Sequence, residues 1–336
     1  MSVQPYPLVF EPILLSKVWG GDSLSRFGKA VAPGSTIGES WEIADLAQTS
    51  SGGAGGGAQR SVIANGGLKG RTLHEAVERW GAGLLGRARP APGGGFPLLV
   101  KFLDAKENLS VQVHPSPAYA TANAGCHLKT ESWYILDAAP GGVIYKGVRP
   151  GATRESFERA IRDNRVVDEM IALPAVPGEC HTLPSGTCHA LGAGVLVAEV
   201  QTPSDTTFRV YDWGRTGRDL HIEQSLACID FGPAKPGMKL KSPTGGVGPR
   251  EKTDFYALRH AGLSNGAEAP VSQEGAACVV MVLAGAGSLY SESGDMAPVD
   301  LKAGMTVLVP ASLSTDAVVA AAEVGRVECL LAELPA

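Results

Sequence analysis

The sequence predicts a mainly β protein: an antiparallel barrel or sandwich carrying a few helices, followed by a second, smaller β unit. Three observations support this. Between about residue 98 and residue 231 most apolar segments are short and strand-like, as in PLLVKFL, SWYIL, GVIYKGV, GVLVAEVQT and TTFRVYDW. Each is closed by Gly, Pro, Asp or Ser, as the strands of a barrel are. Helical periodicity is confined to two stretches. GPAKPGMKLKSPTGGVGP, residues 232–249, is dense in Pro, Gly and Lys and separates a further set of short strands.

Taken in order, the first unit is expected over residues 1–235, a linker over 236–249 and the second unit over 250–336. The helical stretches are RTLHEAVERWGAGLLGRA near 71–88 and TRESFERAIRDNRVVDEMIAL near 153–173, both with apolar residues three and four apart. Thr153 followed by Glu155 and Ser156 suits a capped start. SSGGAGGGAQ at 50–59 and PAPGGGFP at 90–97 lack periodicity and basic residues, so they read as loops rather than phosphate cradles. In the second unit CVVMVLAGAGSLYS, VDLKAGMTVLVPASL and VECLLAEL read as strands between turns.

Composition narrows the function classes. At 336 residues the chain is long enough for about two cores. Its 29 Lys and Arg against 34 Asp and Glu leave a formal charge of −5, scattered along the chain, which disfavours non-specific nucleic-acid binding. MSVQPYPLVFEPILL lacks the pattern of a signal peptide, and no stretch approaches the ~18 apolar residues that cross a bilayer. Cys126, Cys180, Cys188, Cys228, Cys278 and Cys329 are irregularly spaced. Reduced thiols and a cytoplasmic location are therefore expected.

The informative chemistry begins at SVQVHP, where Ser110, Gln112 and His114 alternate with Val111 and Val113. A period of two puts the three polar side chains on one strand face. Alone, such a pattern is most often the wet face of an edge strand. KTESWYIL then supplies Glu131, with Lys129 two residues earlier on the same face, and LPSGTCHALG has Pro184, Gly186 and His189 in the spacing PxGxxH. Pro and Gly there are expected to form a tight hairpin that delivers His189 to a fixed place. Two histidines and a carboxylate from three strands suffice for a divalent metal, and an oxygen from Gln112 would complete a zinc site with water. The same triad occurs in non-haem iron oxygenases, against which Gln112 argues by filling a position dioxygen would need. Cys180, His181, Cys188 and His189 lack the usual CxxC spacing of a cysteine-rich zinc site.

The order QxH, carboxylate, PxGxxH resembles the metal-binding motifs of the cupin superfamily. The fuller wording FPLLVKFLDAKENLSVQVHP, KTESWYILDA, LPSGTCHALG and QTPSDTTFRVYDWGR, with KVWGGDSL, IGESWEIAD and NGGLKGRTL upstream, is narrower. It resembles the type I mannose-6-phosphate isomerases in their short bacterial form, over roughly residues 8–231. Beyond 250 only a cupin-like strand pattern is shared.

That resemblance implies a jelly-roll barrel, one Zn²⁺ per chain on Gln112, His114, Glu131 and His189, and an active-site arginine at Arg209. It implies a hexose 6-phosphate substrate and interconversion of mannose 6-phosphate with fructose 6-phosphate through a cis-enediol. Such a reaction needs a base, an electrophile and an anion clamp. Glu199 and Asp205 match active-site positions of the family and are the candidate bases. Ser110, Lys129 and Arg215 are the candidate clamp, with Lys129 also a candidate at the reacting end. Zinc with one carboxylate leaves a centre of net charge +1, which suits an enediolate. The competing reading is a non-catalytic sugar-binding cupin, motivated by a second unit whose one histidine is His260.

Overall fold

The computed structural model describes residues 3–48 and 57–335. Most of the glycine-rich stretch at 50–59 lies outside those residues. The first unit is a barrel of two facing antiparallel sheets. The larger has seven strands in the order Met238–Lys239, Glu179–Leu183, Glu131–Ala138, Val195–Gln201, Leu99–Ala105, Ile37–Ile43 and Ile13–Gly21. The smaller has five, in the order Met170–Pro174, Val143–Val148, His189–Leu191, Val111–Val113 and Phe208–Tyr211.

Side-chain parity divides the central strands between two buried environments. In Val195–Gln201, Val195 and Val197 pack inside the barrel with Ile144 and Leu191 of the facing sheet. Leu196, Ala198 and Val200 turn outward against Leu258, Val279, Met281 and Leu330 of the second unit. Because both faces are covered, this strand reads as a nearly continuous apolar run rather than an alternation. The outer face of the smaller sheet is covered differently: Val111, Val113 and Val210 pack against Phe157, Ile161 and Leu226. Those residues belong to the helices Arg154–Arg162 and Ile222–Cys228.

The second unit is a nine-stranded assembly whose interior holds Leu263, Val280, Leu301, Val319 and Leu331. Leu8–Val9 joins it by pairing with Thr306–Val309 before the backbone enters the barrel. A polar tie also crosses between the units, since the Tyr256 hydroxyl donates to Ser132 Oγ at 3.0 Å.

Three local expectations change form. The first helical stretch is Leu73–Trp80, opened by a Thr72–Glu75 capping box, with Ala82–Leu85 continuing after a break at Gly81. The second is capped by Thr153 but ends at Arg162, because Asn164 takes a left-handed φ of 55°. Residues expected to continue that helix form the strand Met170–Pro174 instead, paired with Val143–Val148. The PxGxxH turn is not a hairpin, since the strands on either side of it belong to different sheets. It is a corner: Thr187 N donates to the Pro184 carbonyl at 3.0 Å and Gly186 N to the His114 carbonyl at 3.1 Å. Turn chemistry is the same in both cases; only the distant pairing partners distinguish them. All six cysteines are free thiols. Among the described residues no helix is long and apolar enough to cross a membrane.

The long strand Cys278–Ser291 bends at a register shift between Val282 and Ala284. Gly285 lies beside that bend with φ 74°, where a Cβ would fall 1.9 Å from the Arg326 carbonyl oxygen. Gly285→Ala is expected to cost about 2 kcal/mol or more of unfolding free energy. Urea titration checks this, with metal content of the folded fraction unchanged.

Candidate metal centre and active site

Register assembles the centre. Arg209 is paired with Gln112 and Gln112 with His189 across three neighbouring strands of the smaller sheet. Cross-strand partners project to the same side, so these three form one row inside the barrel. The larger sheet answers with Glu131 and, two residues on, Trp133, which is paired with Glu199. The Trp133 indole meets His189 edge-on, with ring centroids 5.3 Å apart, and fixes one side of that imidazole.

His114 Nε2 lies 3.2 Å from Glu131 Oε2, and His189 Nε2 lies 3.1 Å from Glu131 Oε1. The amide end of Gln112 lies 3.2 Å from His189 Nε2. On the far side of each ring, His114 Nδ1 is 3.1 Å from the Thr206 carbonyl and His189 Nδ1 is 2.7 Å from the Thr187 carbonyl. A carbonyl only accepts, so both Nδ1 atoms carry the proton. Burial, and then the Lys129 charge, push the His114 pKa down to about 3, so that ring is neutral.

The His114 Nε2 lone pair therefore points at a carboxylate that His189 Nε2 also faces. Burial opposes ionisation of Glu131, but the Lys129 ammonium 2.9 Å away is the strongest opposing influence, and the carboxyl is held well below its usual range. Lone pairs and a carboxylate converging at about 3 Å repel one another unless a cation lies among them. Glu131 Oε1 is buried and accepts no hydrogen bond. The three ligand atoms lie within 4.8 Å of one another, and their chemistry fits a divalent metal.

Beside this centre, facing charges line a cavity. Lys17 pairs with Glu39 at 3.0 Å, and Lys101 lies 3.7 Å from Glu39 and 2.9 Å from Glu199. Trp41 Nε1 donates to Glu39, Trp133 Nε1 to Glu199, and Lys101 Nζ to Gln201 Oε1. Burial would raise the Glu39 pKa, yet Lys101 and Lys17 bring it down to about 2. Burial lowers the Lys101 pKa, but Glu199 and Glu39 more than restore it and leave it above the usual lysine range.

Of the residues singled out by sequence, Ser110, Gln112, Lys129, Glu199, Asp205 and Arg209 line this cavity. Arg215 is turned aside: its Nε and Nη2 donate to Asp212 Oδ1 at 3.1 and 2.7 Å, and its Nη2 also to the Asn108 carbonyl. Arg218 lines the cavity. Lys17, Glu39, Trp41 and Lys101 are wall residues that sequence reasoning missed. Lys101 did carry a signal, as a charge interrupting PLLVKFL at the parity of inward-facing Leu103. Lys17 carried none.

A jelly-roll barrel with two histidines and a carboxylate at its centre defines a metal-binding cupin. A family model described as "Phosphomannose isomerase type I, catalytic domain" matches residues 9–141. The Bacillus subtilis (strain 168) mannose-6-phosphate isomerase ManA is 37% identical over 230 residues, covering 67% of this chain and 68% of that protein. A crystal structure of mannose 6-phosphate isomerase from Bacillus subtilis aligns with 98% of this chain and 100% of its own, at 28% identity and a TM-score of 0.82. A holo, zinc-bound mannose 6-phosphate isomerase shares the fold, with a TM-score of 0.73 and 19% identity over 99% of this chain and 100% of its own. This chain belongs to the type I mannose-6-phosphate isomerase family.

Two outcomes follow from the geometry. His189→Ala removes a ligand and should weaken metal binding by more than the ~10–100-fold typical of losing an outer-shell partner. Metal analysis after dialysis tests this. The second concerns acid stability. Glu39 is favoured as the anion in the folded chain, so its contribution is complete above about 4.5 and is lost as pH falls to about 2. The contribution is on the order of 3 kcal/mol. Glu39→Gln should flatten the acid limb of the metal-free protein's melting temperature across that window.

Proposed function

We propose that this chain interconverts mannose 6-phosphate and fructose 6-phosphate through a cis-enediol, with one zinc ion held by Gln112, His114, Glu131 and His189. The observation that carries the reading is a buried three-ligand cluster beside a cavity lined by Lys129, Arg209 and Arg218. The zinc-bound relative named above supports the choice of metal. When bound, zinc supplies positive charge that polarises the sugar carbonyl and favours the enediolate.

The chain's own residues supply the rest. Arg209 Nη1 donates to the Asp219 carbonyl at 2.7 Å, while its Nε is buried without an acceptor. That unused donor, on a group that stays charged near neutrality, suits an enediolate oxygen. Lys129 neutralises Glu131 and, with the Ser110 hydroxyl, faces the substrate. Arg215 contributes through Asp212, which it holds in place.

The proton moved between C1 and C2 needs a carboxylate base. Glu39, with its pKa near 2, is too weak a base for that work. Glu199 and Asp205 are the two remaining candidates, and Glu199→Gln and Asp205→Asn separate them. The base is the one whose loss lowers kcat by about 10²-fold or more with zinc retained.

A coupled assay on both sugar phosphates should show turnover that a chelator abolishes and zinc restores. Absence of turnover by the zinc-loaded protein would overturn the reading in favour of a sugar-binding cupin. Arg209→Ala should keep the metal and lower kcat by about 10²-fold or more. A change confined to KM would move Arg209 to ground-state binding.

A further inference from the structure

Beyond Arg209 the cavity wall carries a second guanidinium, Arg218. It lies in the connection between the strand Phe208–Tyr211 and the helix Ile222–Cys228, with its side chain 26% exposed. Its Nε donates to Asp212 Oδ2 at 2.8 Å and its Nη2 to Asp212 Oδ1. Two prongs fix the plane of the guanidinium and leave Nη1 without a hydrogen-bond partner among the described residues.

Charge is crowded here. Asp212 is buried and accepts from both Arg215 and Arg218, while Arg215 also lies 3.9 Å from Glu107. Arg209 bonds only to a backbone carbonyl through Nη1 and keeps its Nε unused. After burial, the Arg218 charge is the strongest influence lowering the Arg209 pKa, ahead of the opposing effect of Asp212. Two guanidiniums thus stand near enough on one wall to repel each other, each with a free donor. An anion with several acceptor oxygens would relieve that repulsion and bond to both.

We propose that Arg218 binds the phosphate dianion of the substrate together with Arg209, with Asp212 and Arg215 as the brace that sets its direction. Arg215 itself lies outside the cavity lining, with its Nε and Nη2 bonded to Asp212 and the Asn108 carbonyl and its Nη1 3.9 Å from Glu107 Oε2. The assignment rests on the sugar-phosphate reading above and names which end of the cavity takes the phosphate.

The test uses the zinc-loaded full chain, with Arg218→Ala and Arg218→Lys. In Arg218→Ala, KM for mannose 6-phosphate and the inhibition constant for inorganic phosphate should rise together by about tenfold or more, the loss of a charge-assisted hydrogen bond. The fall in kcat should be smaller, and zinc content unchanged. Arg218→Lys should recover part of the affinity. It also carries the test if the alanine variant does not fold, a several-fold rise supporting the assignment and wild-type values overturning it. Unchanged KM and phosphate inhibition, or a fall in kcat with KM unchanged, would overturn it. Calorimetric titration of inorganic phosphate needs no turnover, so it separates the two readings. If the wild type does not isomerise but binds phosphate, and Arg218→Ala loses that binding, the anion site stands while the isomerase reading falls.

Discussion

A carboxylate with no exposed surface stays ionised inside a barrel only if positive charge and donors are brought to it. Glu131 is such a group, and much of the interior follows from it. Lys129 lies 2.9 Å from one oxygen, and two imidazoles turn their Nε2 atoms toward the pair. A divalent cation completes what those atoms leave unsatisfied. The same compensation continues along the wall through Lys17, Glu39, Lys101 and Glu199. Breaking one member of a buried ionic set leaves its neighbour uncompensated at a cost of about 3–5 kcal/mol. The wall is therefore stiff as well as charged, and dipoles that need not reorganise are what an anionic transition state requires.

Stiffness also depends on what stands behind the strands. Gln112, His114 and His189 alternate with outward apolar side chains and Glu131 with the outward Ser132, so a strand that presents chemistry to the barrel must bury its other face elsewhere. The smaller sheet solves this with two helices, the larger with an entire second sandwich.

How much of this was legible follows from how local each signal is. The triad was legible because Ser110, Gln112 and His114 share a parity within one short strand, and because Glu131 and His189 sit beside readable strand starts. The β-rich barrel and the second unit were legible from short runs and turn residues. The corner at Pro184–Gly186 was visible as a turn but not as a sheet-to-sheet crossing, since its strands pair with residues far away in sequence. The strand Met170–Pro174 was masked by helical spacing that pairing with Val143–Val148 overrides. The arginines at 209, 215 and 218 lie on or beside an irregular loop, where no period encodes direction. Family likeness points to Arg215, but Arg218, bonded to the same Asp212, is the one that lines the cavity.

The hydrogen bond from Tyr256 to Ser132 joins the second unit to the residue that follows Glu131. Among the described residues that unit holds no metal-ligand cluster of its own, yet its sheet backs the strand that carries the carboxylate. It works as a backing plate rather than a separable appendage. Its packing and that hydrogen bond bear on the outward face of the strand that begins at Glu131, so the second unit closes the core behind the carboxylate.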